Sequence, residues 1–235
     1  MPARNPSPPR RAIEALAFSG LWQAAVAAAL TWAAGRAIGG TGGLPRLGWA
    51  CGLAAAGTVV VYTIDRLRDV RRDAATSPAR SAFVTRHRAA VQGLAAGAAL
   101  LCVPLVLQLP PAAWAICGVV LVLGLLHRRL KDHARLAIGY VSVAWVAIVV
   151  GLPAVLVPWS AGRVAAVAVA AACLGLAIAS NAMASHLRGL PYDAAAALTL
   201  RTARRLALAA AVIPIAFTPV LSLIHISEPT RLRRI

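Results

Sequence analysis

Acidic side chains are scarce in this chain, and three of them lie close together. The sequence has seven Asp and Glu residues, and the segment VVVYTIDRLRDVRRD contains Asp65, Asp69 and Asp73. A spacing of four residues places successive carboxylates on one face of an α-helix, about one turn apart. Carboxylates in this arrangement, with arginines between them, suit a divalent cation such as Mg²⁺ bound together with phosphate oxygens. From spacing alone, the pattern favours a solvated juxtamembrane loop of mixed charge.

The elements that must position these acids are long apolar segments. Hydrophobic residues make up 60% of the chain and charged residues 13%, which is not the composition of a soluble domain. A bilayer core about 30 Å thick is crossed by a helix of roughly 20 apolar residues. The sequence therefore predicts an all-α fold, a polytopic transmembrane helix bundle with seven visible spans. The predicted spans are Ala15–Gly35, Leu47–Ile64, two spans within Ala89–Leu126 that Leu109-Pro110-Pro111 separates, Leu136–Trp159, Val164–Ser185 and 206–224.

The distribution of basic residues predicts the orientation of these spans. The net charge of +17 would favour nucleic acid as the partner of a soluble protein. With a cytoplasmic N-terminus, however, 18 Lys and Arg fall in inside segments and 3 in outside segments, apart from the last few residues. This asymmetry follows the positive-inside rule. We therefore expect an inner or plasma membrane protein with its acidic loops in the cytoplasm, the lipid bilayer as a partner and no nucleic acid.

Composition divides the chain into three parts. Residues 1–11 are rich in Pro and Arg and are predicted to be disordered. Residues 12–220 form the predicted membrane domain. The run LSLIHISEPTR at the start of residues 221–235 resembles the translation of a transposase-library sequencing adapter, so this tail is predicted to be non-native and receives no function.

One segment resembles a known family. The sequence YTIDRLRDVRRDAATSPARSAFVTRH is similar to the first Asp-rich motif of UbiA-type membrane prenyltransferases, through the DRxxD core at Asp65 and Asp69, through Asp73, and through Pro78-x-Arg80. The segment SNAMASHLRGLPYDAAAALTLRT follows the sixth predicted span, where the family carries its second motif. The resemblance implies an all-helical fold, usually of about nine spans. It also implies Mg²⁺-dependent transfer of an isoprenyl group from its diphosphate to a hydrophobic or aromatic acceptor.

The sequence departs from the family pattern in both motifs. Val61 and Tyr62 stand where relatives commonly carry Asn and Asp ahead of the first core. The second motif keeps Asn181, Leu187, Arg188 and Asp193. His186 and Gly189 replace two of its acids, and His is a poor ligand for a hard cation. A second Mg²⁺ site is therefore expected to be weakened.

The resemblance implies a role for each matching residue. Catalytic roles fall to Asp65, Asp69 and Arg66; Mg²⁺ ligation to Asp65, Asp69, Asp73 and Asp193; and diphosphate contacts to Arg188, Lys131 and Asn181. A catalytically impaired relative that binds isoprenoids without turnover is the alternative that the altered second motif favours. A small transporter is a third hypothesis. It is disfavoured because the predicted spans contain almost no ionisable residues.

Overall fold

The computed structural model describes residues 8–39, 46–131, 134–186 and 199–213, and every regular element in these ranges is helical. The helices are α1 (Pro8–Phe18), α2 (Leu21–Gly39), α3 (Leu47–Thr76), α4 (Pro78–Arg86), α5 (Arg88–Leu107), α6 (Pro111–Lys131), α7 (Ala134–Val146), α8 (Leu152–Ala154), α9 (Ala161–His186) and α10 (199–213). A π-helical turn, Ala147–Gly151, joins α7 to α8. The prediction of an all-α chain is confirmed for these ranges.

Several of these helices have the length and composition to cross a membrane. Within the described residues, four segments qualify singly, and the bent pair of α1 and α2 raises the number to five if it counts as one span. The four are Leu47–Arg71, Arg88–Leu107, Leu136–Ala154 and Ala161–Ala184. The apolar part of α6, Pro111–Leu126, is shorter. These elements are consistent with a polytopic membrane protein.

The exposure of the apolar helices supports a lipid environment. Only 11% of the most apolar stretch of α5 is buried, and for α9 the value is 0%. Large aliphatic side chains such as Leu100, Val103 and Leu121 are more than half exposed. A water-soluble protein rarely exposes apolar surface so extensively. In hydrocarbon these side chains lose nothing by facing outwards.

The N-terminal part of the chain differs from the sequence-based expectation. The predicted span Ala15–Gly35 is interrupted between Phe18 and Leu21, where the chain bends by 64°. The bend lies at Gly20, whose φ of +88° is a conformation that L-residues rarely adopt. In addition, α1 begins at Pro8, inside the segment predicted to be disordered, because proline is tolerated in the first turn of a helix.

Some of the other predicted boundaries agree with the described helices, whereas the predicted number of seven spans is not confirmed. The break predicted at Leu109-Pro110-Pro111 separates α5 from α6. α3 continues past the predicted end of its span at Ile64 and carries the acidic segment as helix. Of the predicted seventh span, residues 206–213 are helical, and 214–224 lie outside the described residues.

The chain forms two compact units. The first contains residues 1–32 and 46–109. Its centre is the contact between α3 and α5, with α4 packed against α3. Small residues on α3 allow this approach, since a Cβ added at Gly52 would lie 3.4 Å from Leu105 Cδ2. The core includes Leu53, Val84 and Val91, all at most 5% exposed.

The second unit contains residues 33–45 and 110–235, so the last part of α2 belongs to it. α7 packs against α6 and α9. The π-helical turn widens the helix ahead of Pro153, which has no N–H to donate to the Val149 carbonyl. Gly151 lies against Ile116, since a Cβ added at Gly151 would be 3.3 Å from Ile116 Cδ1.

Candidate functional site

A single helix carries the first acidic motif out of the apolar region. α3 begins at Leu47 and runs without interruption to Thr76. Asp65 and Asp69 are four residues apart on it, a rise of about 6 Å, and both are half-buried. Each also interacts with another group of the protein. Asp73 follows on the same helix, and its side chain is outside the described part of the structure.

Arg66 lies between these acids in sequence, and its side chain reaches the end of α1. It is 7% exposed, and its Nη1 donates a hydrogen bond of 3.0 Å to the main-chain oxygen of Ala17. Ala17 is in the last turn of α1, where carbonyls lack partners within the helix. The guanidinium carbon is 6.0 Å from the centre of the Tyr62 ring, the outer limit of cation–π attraction. The hydrogen bond joins α3 to the end of α1.

The bend after α1 rests on the same part of α3. Thr63 is fully buried and its hydroxyl donates a hydrogen bond of 3.3 Å to the main-chain oxygen of Ser19. A Cβ added at Gly20 would be 3.4 Å from Tyr62 Cβ. The first turns of the acidic segment therefore lie directly against the bend.

α4 supports the acidic segment from another side. The hydroxyl of Ser81, which is buried, donates a hydrogen bond of 2.9 Å to the Val70 carbonyl of α3. Phe83 contacts Phe18 at the end of α1, with ring centres 5.7 Å apart. α1, α3 and α4 are thus connected around the part of α3 that bears the carboxylates.

The residues of the second motif are only partly described. Asn181 is exposed on α9, and the neighbouring Ser180 hydroxyl donates a hydrogen bond of 2.7 Å to the Ala203 carbonyl of α10. Lys131 ends α6, and its side chain is not described. Arg188 and Asp193 lie outside the described residues. Asn181 belongs to the second unit and the Asp65–Asp69 pair to the first.

The described geometry brings together two carboxylates and a set of supporting polar residues. The sequence singled out Asp65, Asp69 and Arg66. It did not single out Ser19, Thr63 or Ser81, which connect the three helices. The sequence gives little indication that these residues connect different helices. A small polar residue in an apolar segment often bonds to its own helix, as the Thr58 hydroxyl does to the Ala54 carbonyl at 2.7 Å.

The pair supplies oxygen ligands on one helix face. Within the described residues, no three His, Cys, Asp or Glu side chains come close enough together to form a metal site by themselves.

Comparison of the chain with protein-family models, with curated proteins and with solved structures gives no match.

Proposed function

We propose that this protein is an intramembrane prenyltransferase that transfers an isoprenyl group from its diphosphate to an aromatic or lipid acceptor. The observation that carries the proposal is the half-buried pair Asp65 and Asp69, one turn apart on the helix that continues from an apolar span. The similarity of this segment to the first Asp-rich motif of UbiA-type enzymes supports it.

The position of the pair suits an amphiphilic substrate. The preceding part of α3, from Leu47 to Ile64, is free of charged residues, so an isoprenyl chain beside it would remain in hydrocarbon. A diphosphate is highly charged and belongs at the membrane surface. Carboxylates at the end of the apolar segment meet both requirements, since they lie where the two environments adjoin.

Mg²⁺ fits the donors that the pair presents. Carboxylate oxygens are hard ligands, and a site with one or two of them leaves positions for phosphate oxygens and water. In the proposal Asp65 and Asp69 hold the ion, with Asp73 in support and Asp193 at a second, weaker site. When bound, the ion would neutralise charge on the departing diphosphate. Diphosphate contacts are assigned to Arg188, Lys131 and Asn181.

The chain's own residues then have separable tasks. Arg66 is committed to the end of α1, which favours a positioning role over direct contact with phosphate. Tyr62 is half-buried beside the acidic pair and offers an electron-rich ring near the allylic carbon, where positive charge develops as the C–O bond breaks. The acceptor attacks that carbon, diphosphate leaves with the bonding electrons, and the proton that the acceptor loses passes to water.

Turnover in membranes tests the proposal. Membranes containing the protein are incubated with farnesyl diphosphate labelled with ³²P, and released diphosphate is measured with Mg²⁺ and with EDTA. We expect release that depends on Mg²⁺ and falls to background in the Asp65→Asn/Asp69→Asn variant. Glu14→Gln, which removes an acid of α1, should retain it. Equal release by the double variant and the unchanged protein would contradict the assignment.

A second candidate is an isoprenoid-binding protein without turnover. It is favoured by His186 and Gly189, which stand where the similar family carries acids. Diphosphate that binds with Mg²⁺ but is never released from its isoprenyl chain, with any acceptor class, would select this function. Equilibrium binding of the diphosphate, measured beside its release in the presence of an aromatic and of a lipid acceptor, separates the two candidates.

A further inference from the structure

A cleft of about 360 Å³ lies between α3, α4 and the first residue of α5. α3 supplies Leu67, Arg68, Val70 and Arg71, α4 supplies Val84 and Thr85, and α5 supplies Arg88. The side chains of all three arginines are exposed. Among the described lining residues the three guanidinium groups carry like charge, and none of these residues is a carboxylate.

The cleft favours an anion of a particular kind. A guanidinium presents a planar set of donors that matches phosphate oxygens two at a time. The hydroxyl of Thr85 already donates its proton to the Ser81 carbonyl, at 2.9 Å. The donors available along the lining are therefore those of Arg68, Arg71 and Arg88. Three cations suit a phosphate group better than a single carboxylate.

This cleft is separate from the acidic pair. Successive residues of an α-helix are rotated by about 100° around its axis. The mean direction of the α3 residues that line the cleft is therefore about 160° from the mean direction of Asp65 and Asp69. A phosphate in the cleft would therefore be on the opposite side of α3 from a diphosphate held by the carboxylates. The inference does not depend on the prenyltransferase proposal.

The cleft lies where two candidate spans end, which is the position expected of a membrane interface. Arg71 is the last residue of one candidate span and Arg88 is the first residue of the next. Leu67, Val70 and Val84 give the cleft aliphatic walls, against which an attached acyl chain can pack. Basic pockets between helices at this level are suited to anionic head groups.

We propose that the cleft lined by Arg68, Arg71 and Arg88 binds a phosphate group, carried either by the head group of an anionic lipid or by free phosphate. Both sources share the chemistry of a phosphate held by several guanidinium groups. The two sources differ in whether an attached acyl chain also packs against the aliphatic walls of the cleft.

The experiment measures binding to the purified protein in a non-ionic detergent. Dioleoylphosphatidylglycerol, dioleoylphosphatidylcholine and inorganic phosphate are titrated separately, and the midpoint of thermal unfolding reports binding. The test variant is Arg68→Gln/Arg71→Gln/Arg88→Gln. Its charge-matched control is Arg201→Gln/Arg204→Gln/Arg205→Gln, which removes three exposed arginines of α10. Arg88→Gln and Arg86→Gln form a second pair, both exposed and two residues apart, of which only Arg88 lines the cleft.

We expect phosphatidylglycerol to raise the midpoint, phosphatidylcholine to leave it nearly unchanged, and the test variant to bind roughly tenfold or more weakly. Stabilisation by inorganic phosphate that equals that by phosphatidylglycerol, and is lost in the same variant, would assign the cleft to free phosphate. An equal loss in the α10 control, or equal effects of Arg86→Gln and Arg88→Gln, would show general charge attraction and overturn the proposal. So would the absence of stabilisation by either anion. If the triple variant fails to fold, the single pair still decides.

Discussion

At the scale of single residues, neighbours in sequence have different surroundings. Asp65 and Asp69 are half-buried on one face of α3, Arg66 is buried against α1, and Arg68 lines a cleft on the far side of the helix. The segment therefore combines an acidic face, a structural cation and a basic face within two turns. Each face can be tested by its own substitution.

Arg66 is expected to act through stability. Arg66→Ala removes the donor to the Ala17 carbonyl and should lower the free energy of unfolding by about 1–3 kcal/mol. Arg86→Ala, an exposed arginine on α4, should change it by no more than about 0.5 kcal/mol. Denaturation by SDS in mixed micelles measures both. Loss of diphosphate binding by Arg66→Ala at unchanged stability would instead make Arg66 a direct phosphate contact.

At the scale of elements, the sequence predicted helices better than it predicted their interruptions. Spacing alone favoured a solvated loop after Ile64, with a continued helix as the alternative, and α3 extends through the acidic segment to Thr76. The Pro110-Pro111 pair correctly separated α5 from α6. Hydropathy gave no sign of the bend at Gly20, because neither Gly nor Ser is polar enough to interrupt an apolar run. The bend depends on tertiary contacts with Tyr62 and Thr63.

Gly20→Ala should destabilise the junction of α1 and α2. A φ of +88° is unfavourable for alanine by about 1–2 kcal/mol, and the added Cβ would contact Tyr62 Cβ at 3.4 Å. Gly97→Ala in α5, where nothing lies within 4 Å, should leave the stability unchanged or raise it by up to about 1 kcal/mol. Thermal unfolding in detergent compares the two. Equal unfolding midpoints for the two variants would mean that stability does not depend on the left-handed conformation of Gly20.

The candidate site was predictable only in part, for a physical reason. Helical spacing alone brings Asp65 and Asp69 together, so the sequence is sufficient for that pair. The commitment of Arg66 to Ala17 depends on a contact between residues 49 positions apart, which local spacing does not encode. The cleft was missed for the same reason, because Arg68 and Arg88 meet only when α4 folds back along α3.

At the scale of the whole molecule, every regular element in the described ranges is helical, and these ranges contain four or five candidate spans. The basic residues predict which ends of those spans face the cytoplasm. With the predicted orientation, both the acidic pair and the basic cleft face the cytoplasm. The anionic ligands of both proposed sites would then come from the cytoplasmic side.

Cysteine labelling in intact cells tests this orientation. In a variant whose four cysteines are replaced by alanine, Ser77→Cys lies between α3 and α4 and Ser160→Cys precedes α9. We expect a membrane-impermeant maleimide to label Ser160→Cys in intact cells and Ser77→Cys only after permeabilisation. Labelling of Ser77→Cys in intact cells would reverse the orientation.

The central claim is that the carboxylates of α3 hold an isoprenyl diphosphate through Mg²⁺. Its most direct measurement is equilibrium binding of radiolabelled geranyl, farnesyl and geranylgeranyl diphosphates to the purified protein across a Mg²⁺ titration. The account predicts binding of at least one of them that requires Mg²⁺ and weakens by at least about 10- to 100-fold in Asp65→Asn/Asp69→Asn. Binding that remains Mg²⁺-dependent and equally tight in that variant, or no binding of any of the three, would contradict it.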